Sequence, residues 1–224
     1  MTHAAMTENT APKRKRGVRK PLPSQGVSRS AGTQELVREL NHRVKNNFQI
    51  IVSLMNLKKR TLPSDRHAEL RFVEEHVHSM SVAYRLVYAT GAMNKVSVTE
   101  LITEVVAGLR QIAGLNEDRV KIQSSTIDTM ISLDHGIALA LYLAVLLPPY
   151  FDEALMSTAI TTVMIGIEAR EVTLSVRWSG HPGVLLDALR GRLMKAYASQ
   201  IQALTLPITH GEVKRICFNT TVLD

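Results

Sequence analysis

From Thr33 to Lys58 the chain contains neither Gly nor Pro, and apolar residues recur at Val37, Leu40, Val44, Ile51 and Leu54. This spacing predicts a helix whose a and d positions face partner helices, with Asn47 as a polar interruption. Thr61 to Asp65, with Pro63 inside, predict a turn. A second stripe at Leu70, Val73, Val77, Met80, Tyr84 and Val87 is again heptad-like, and Gly91 stops it. Two long helices joined by a short turn make an antiparallel hairpin. One hairpin cannot cover both stripes and their flanks (Leu36, Phe48, Met55, Phe72), so two hairpins are expected to pair as a four-helix bundle, a homodimer.

Beyond Gly91 the period changes. A short extended stretch near Lys95 to Val98 precedes an amphipathic helix from about Thr99 to Ala113, and Val120 to Gln123 reads as a strand. Ile137 to Leu147 is apolar almost all round, the mark of a helix buried on a sheet, and Pro148 and Pro149 are expected to end it. Thr161 to Ile167 and Glu171 to Trp178 alternate β-branched and polar residues around a turn at Glu168 to Arg170, a hairpin pattern. A helix over Leu185 to Ala203 and a strand over Val213 to Val222 complete the set. The fold class expected is α+β: an N-terminal helical hairpin (31–92), then an α/β sandwich with helices on one face of a mixed sheet (93–224).

Charge changes the picture only at the start of the chain. Residues 1–30 hold seven Lys/Arg, with Lys13 to Lys20 reading KRKRGVRK, against one acid, Glu8; six of the seven net positive charges therefore sit there. With little to bury, this tail is expected to be a disordered, solvated arm. It lacks the aromatic residues that would stack bases, so a nucleic-acid function is not expected. The single cysteine, Cys217, excludes an intramolecular disulfide and fits a reducing compartment. The longest apolar run, eleven residues, falls short of the roughly 20 needed to cross a bilayer, and no secretory signal is visible. A cytoplasmic protein with no membrane contact is expected.

Candidate chemistry lies on the first helix. With Val37 at a, His42 falls at f, about 170° from the a/d seam at 100° per residue, and should meet water. Asn46 lies one turn along the same face, and Arg43 and Lys45 flank it with positive charge. A neutral imidazole, of unperturbed pKa about 6.5, can attack phosphorus, and neighbouring cations offset the charge of the transferred group. Spacing alone still favours an ordinary solvated histidine on a basic helix face.

The residues Glu39 to Gln49, ELNHRVKNNFQ, closely resemble the E-L-x-H-R-x-K-N-N motif of HRxxN-type sensor histidine kinases, the HWE-related second HisKA subfamily. His78 to Tyr88, HSMSVAYRLVY, is similar to the stretch that precedes that family's catalytic domain. The resemblance implies that His42 is the phosphoacceptor and that Asn46 helps place a hydrolytic water. It also implies a GHKL-like ATP-binding sandwich downstream, yet the signature residues differ. The family helix N-E-x-x-x-N, whose Asn and Glu side chains serve Mg²⁺ and catalysis, has Ala144, Val145 and Pro149 at those places. Carbon side chains cannot ligate a hard cation. The adenine-reading Asp corresponds to Trp178 in WSGHPG, and indole only donates. The glycine-rich phosphate loop is reduced to Arg190-Gly191-Arg192.

The expected function is therefore a histidine phosphotransferase that relays phosphoryl groups between response-regulator receiver domains without ATP. It needs no cofactor of its own, because Mg²⁺ would sit in the receiver's acidic pocket. Receivers would dock around Phe48, Ile51 and Met55. Alternatives are an active kinase with a divergent nucleotide site, a non-catalytic adaptor and a receiver phosphatase. Trp178 reads either as core or as a filler of the vacated nucleotide site. The helix bearing Arg190, Arg192 and Lys195 reads as a solvated face or as a surface for an acidic partner. His67, His76, His78, His135, His181 and His210 receive no role.

Overall fold

The computed structural model describes residues 1–2, 67–90, 94–181, 184, 186–209 and 211–220. The first expected helix, the turn after it and nearly all of the basic tail lie outside the described residues. Helix α1 (His67–Thr90) is the second helix of the expected hairpin. Strand β1 (Lys95–Ser97) leads directly into α2 (Val98–Ala113). The entry is fixed by Ser97, whose side chain accepts from the Glu100 N–H at 3.0 Å, and Gly114 closes the helix in the left-handed region at φ 75°.

Strand β2 (Val120–Ser124) and strand β3 (Met130–Ser132) precede α3 (Leu133–Leu146). Leu139, Ala140, Leu143, Ala144 and Val145 of α3 are wholly buried, as the all-round apolar run requires. The two prolines end α3 as expected, but the chain continues as α4 (Pro148–Leu155). A first helical turn makes no use of the N–H that proline lacks, so the prolines that stop one helix open the next. Taken together, α3 and α4 (Leu133–Leu155) form, among the described residues, the one helical stretch long and apolar enough to cross a membrane by length and composition. Most of it is buried inside the fold, which accounts for its apolarity.

Strands β4 (Thr161–Glu168) and β5 (Glu171–Trp178) form the expected hairpin, with Glu168 opposite Glu171 and Ala169 at φ 54° in the turn. Helix α5 (Ala188–Gln200) is shorter than the expected Leu185 to Ala203. Asp187 caps it, accepting from the Arg190 N–H at 2.8 Å, and Gln202 leaves it at φ 51°. Strand β6 (Leu204–Thr205) precedes β7 (Glu212–Asn219), which also stops short of the expected Val222. The ladder ends because β5 ends: Asn219 faces Glu171, and the next residue, Thr220, donates its N–H to Arg170 O at 2.8 Å.

The main sheet has the order β2-β4-β5-β7-β6, with β2 parallel to β4 and the other pairs antiparallel. A separate ribbon pairs β1 with β3, Val96 opposite Ile131. Val163, Ile165, Val172, Leu174, Ile216 and Phe218 point into one hydrophobic core shared with the helices. Arg119, from a short 3-10 turn before β2, donates to the carbonyls of Ala154, Ser157 and Ala159 and so ties the end of α4 to the sheet. Arg119→Ala is expected to cost about 2 kcal/mol in denaturant unfolding, the scale of charge-assisted hydrogen bonds whose acceptors partly regain water. A loss below about 0.5 kcal/mol would show that the tie is slack.

Candidate functional site

His42, Arg43, Lys45 and Asn46 lie outside the described residues. What the structure places is the region assigned by resemblance to magnesium nucleotide, together with the helix that precedes it. Ala144 and Val145 are wholly buried in α3 and present only carbon, and Pro149 sits in the first turn of α4. The Val145 carbonyl accepts from Arg190 Nη1 at 3.2 Å. Arg190, Gly191 and Arg192 are not a loop remnant: they form the start of α5, where the Gly191 N–H donates to Asp187 O at 3.0 Å. Nor does Arg190 face outward for an acidic partner. Its guanidinium lies over the Phe72 ring, 5.2 Å from the centroid, while Arg192 and Lys195 stay exposed.

Trp178 is core. It is buried, its indole N–H donates to His181 O at 3.2 Å, and its ring tilts against Tyr150 with centroids 5.8 Å apart. A Cβ on Gly180 would come within 2.4 Å of that ring, so the glycine is what lets the chain close over it. Buried carbon side chains, a donor-only indole already engaged and an inward arginine do not fit a magnesium nucleotide, which requires oxygen ligands and an acceptor for the adenine amino group. Among the described residues no group of three or more His, Cys, Asp or Glu is placed to hold a metal ion.

Helix α1 carries a cluster that the sequence reading missed. Glu75 is only 2% exposed and accepts from Arg71 Nε at 2.9 Å; Arg71 Nη1 reaches Asp152 of α4 at 2.6 Å. Burial pushes the Glu75 carboxyl up from 4.5 to about 7, outweighing the pull of Arg71 and Arg190. Next to it, His76 Nδ1 lies 2.7 Å from Phe72 O and its ring 4.2 Å from that of Phe72; burial lowers its pKa. Burial also lowers that of His78, whose ring covers Gly108 of α2. Phe72, expected to be covered by hairpin pairing, is thus engaged by the domain behind it. The signal was present: Glu75, Ser79, Val82 and Leu86 follow 4-3-4 spacing on a face about 160° from the heptad stripe, but the carboxylate masks it. That opposite stripe leaves Val73 48% exposed.

Residues 39–113 match the family model HisKA_2, described as histidine kinase. The match is to the histidine kinase family and covers a third of the chain. It spans the motif around His42, all of α1 and α2 to its last residue. The histidine kinase domain of the Erythrobacter litoralis EL346 blue-light activated histidine kinase is similar in fold, with TM-score 0.55 and 16% identity over 87% of this chain and 95% of that one. The longer Erythrobacter litoralis EL346 blue-light activated histidine kinase gives 0.56 and 17%, over 89% of this chain and 66% of that one. At such identities the likeness is one of histidine kinase fold. No curated protein sequence matches the chain.

Proposed function

We propose that this chain is a histidine phosphotransferase of a two-component phosphorelay, exchanging phosphoryl groups with receiver domains and using no ATP. One observation carries the reading: a segment of the histidine kinase family keeps its motif histidine, while the helix that would serve the nucleotide presents buried Ala144 and Val145. In this reading two hairpins pair as a homodimeric four-helix bundle in the cytoplasm and display His42 to solvent. A ring nitrogen of neutral His42 attacks the phosphorus of a receiver aspartyl phosphate. The N–P bond forms as the P–O bond to the carboxylate breaks, and the electron pair leaves on that carboxylate. Arg43 and Lys45 offset the phosphoryl charge, and Asn46 hydrogen-bonds the group or a water. Mg²⁺ belongs to the receiver. A second receiver takes the group by the reverse step.

Wild type mixed with a receiver carrying labelled aspartyl phosphate is expected to acquire label, and His42→Ala none. Absence of label on the wild type, or equal label on both, refutes the proposal. Calorimetric titration with Mg²⁺ and ATP is expected to give no binding heat; an active kinase would give it. An adaptor would act unchanged as His42→Ala, and a phosphatase would depend on Asn46 instead.

A further inference from the structure

We infer that α1 is a permanent element of the core of the α/β domain that runs from β1 to β7 (the cap), so that the joint between it and the phosphoacceptor hairpin (the stalk) does not swing. Three kinds of contact seat the helix along its length. Val82, Ala83 and Leu86 are buried in the same cluster as Leu101 and Val105 of α2 and Leu139 of α3. Such a close-packed interior does not slide by small increments. At the middle, a Cβ on Gly108 would fall 1.7 Å from His78 Nε2, so the histidine ring occupies the space that any other α2 residue would fill. Near the N-terminal end, Arg71 pairs with Asp152 of α4, and Arg190 of α5 lies over Phe72 while its Nη1 bonds Val145 O of α3. Separating α1 from the cap would break all three at once and leave Glu75 without its setting.

The consequence rests on the phosphotransferase reading. A kinase must carry its nucleotide to the histidine, which calls for a moving joint; a relay needs only one fixed surface to present to each receiver. The domain-facing side of α1 has therefore become core.

The joint is tested without reference to activity in a Cys217→Ser background. Ser79 and Ala83 are both wholly buried on that side of α1. Ser79→Cys, and independently Ala83→Cys, are expected to react with a maleimide at least about a thousandfold more slowly than Ala196→Cys on the exposed face of α5. Faster labelling of a folded variant means that the joint opens and overturns the inference. A second arm uses Arg85→Cys with Glu104→Cys, at an ion pair of α1 with α2 whose side chains are both more than 40% exposed. Joined within one chain by a short bismaleimide, this variant is expected to accept phosphate on His42 within about twofold of the unlinked rate. A larger drop on linking also overturns the fixed joint. Failure of transfer in both forms counts against the phosphotransferase reading, and the labelling rates then decide the joint by themselves.

Discussion

Glu75→Gln is expected to be more stable than the wild type at pH 8, by about 3 kcal/mol, and the advantage is expected to shrink to about 1 kcal/mol near pH 5. The side chain is almost fully buried, and its carboxyl is raised from 4.5 to about 7. Between about pH 4.5 and 7 the folded chain therefore holds a proton on Glu75 that the unfolded chain has already released. Stability from this group is full below 4.5, falls as the pH rises, and is lost once the pH passes about 7. Glutamine cannot ionise and can still accept from Arg71. The groups facing the carboxyl, Arg71, Arg190 and Asp152, are common to both proteins. His76 and His78 have lowered values, so their contribution falls as the pH drops below 6.5, and it cancels in the comparison. Denaturant unfolding across pH 5 to 8 checks this. If Glu75→Gln is the less stable protein at pH 8, the 2.9 Å contact with Arg71 is an ordinary ion pair and burial does not dominate.

Gly108→Ala is expected to change sign with its background. In the wild type the new methyl meets the His78 ring, and overpacking costs about 1–3 kcal/mol. In His78→Ala the space is open, and the same substitution is expected to stabilise by up to about 1 kcal/mol, the difference in helix propensity. The coupling in a double-mutant cycle measured by denaturant midpoints should then reach about 2 kcal/mol. Equal effects in both backgrounds would place the ring elsewhere. The same cycle gauges how closely α1 and α2 are seated, on which the fixed joint depends.

Much of the fold could be read from local pattern. The hairpin β4 to β5 was legible within a residue because alternation and a turn signal coincide at Glu168 to Arg170. Helix α2 was legible to its last residue because Gly114 follows a clean 3.6-residue period. Strands β3 and β6, with three and two residues, were missed because so short a segment has no period. Helix α4 was missed because consecutive prolines read as a stop. Of the functional region, the carbon-only positions at Ala144 and Val145 were readable by residue type alone. The inward turn of Arg190 was not, since a charged residue on an exposed-looking helix reads as solvated.

By itself the sequence determined helix α2, the β4 to β5 hairpin, the motif around His42 and the carbon side chains of Ala144 and Val145, because these depend on residue type and short-range spacing. Tertiary structure decided what covers each face. Periodicity states that a face is apolar and not which element packs on it, and nothing local foretells that residue 71 meets residue 152 or that residue 78 lies over residue 108. The second buried side of α1 and the raised pKa of its carboxyl exist only because chain segments distant in sequence close over them and exclude water.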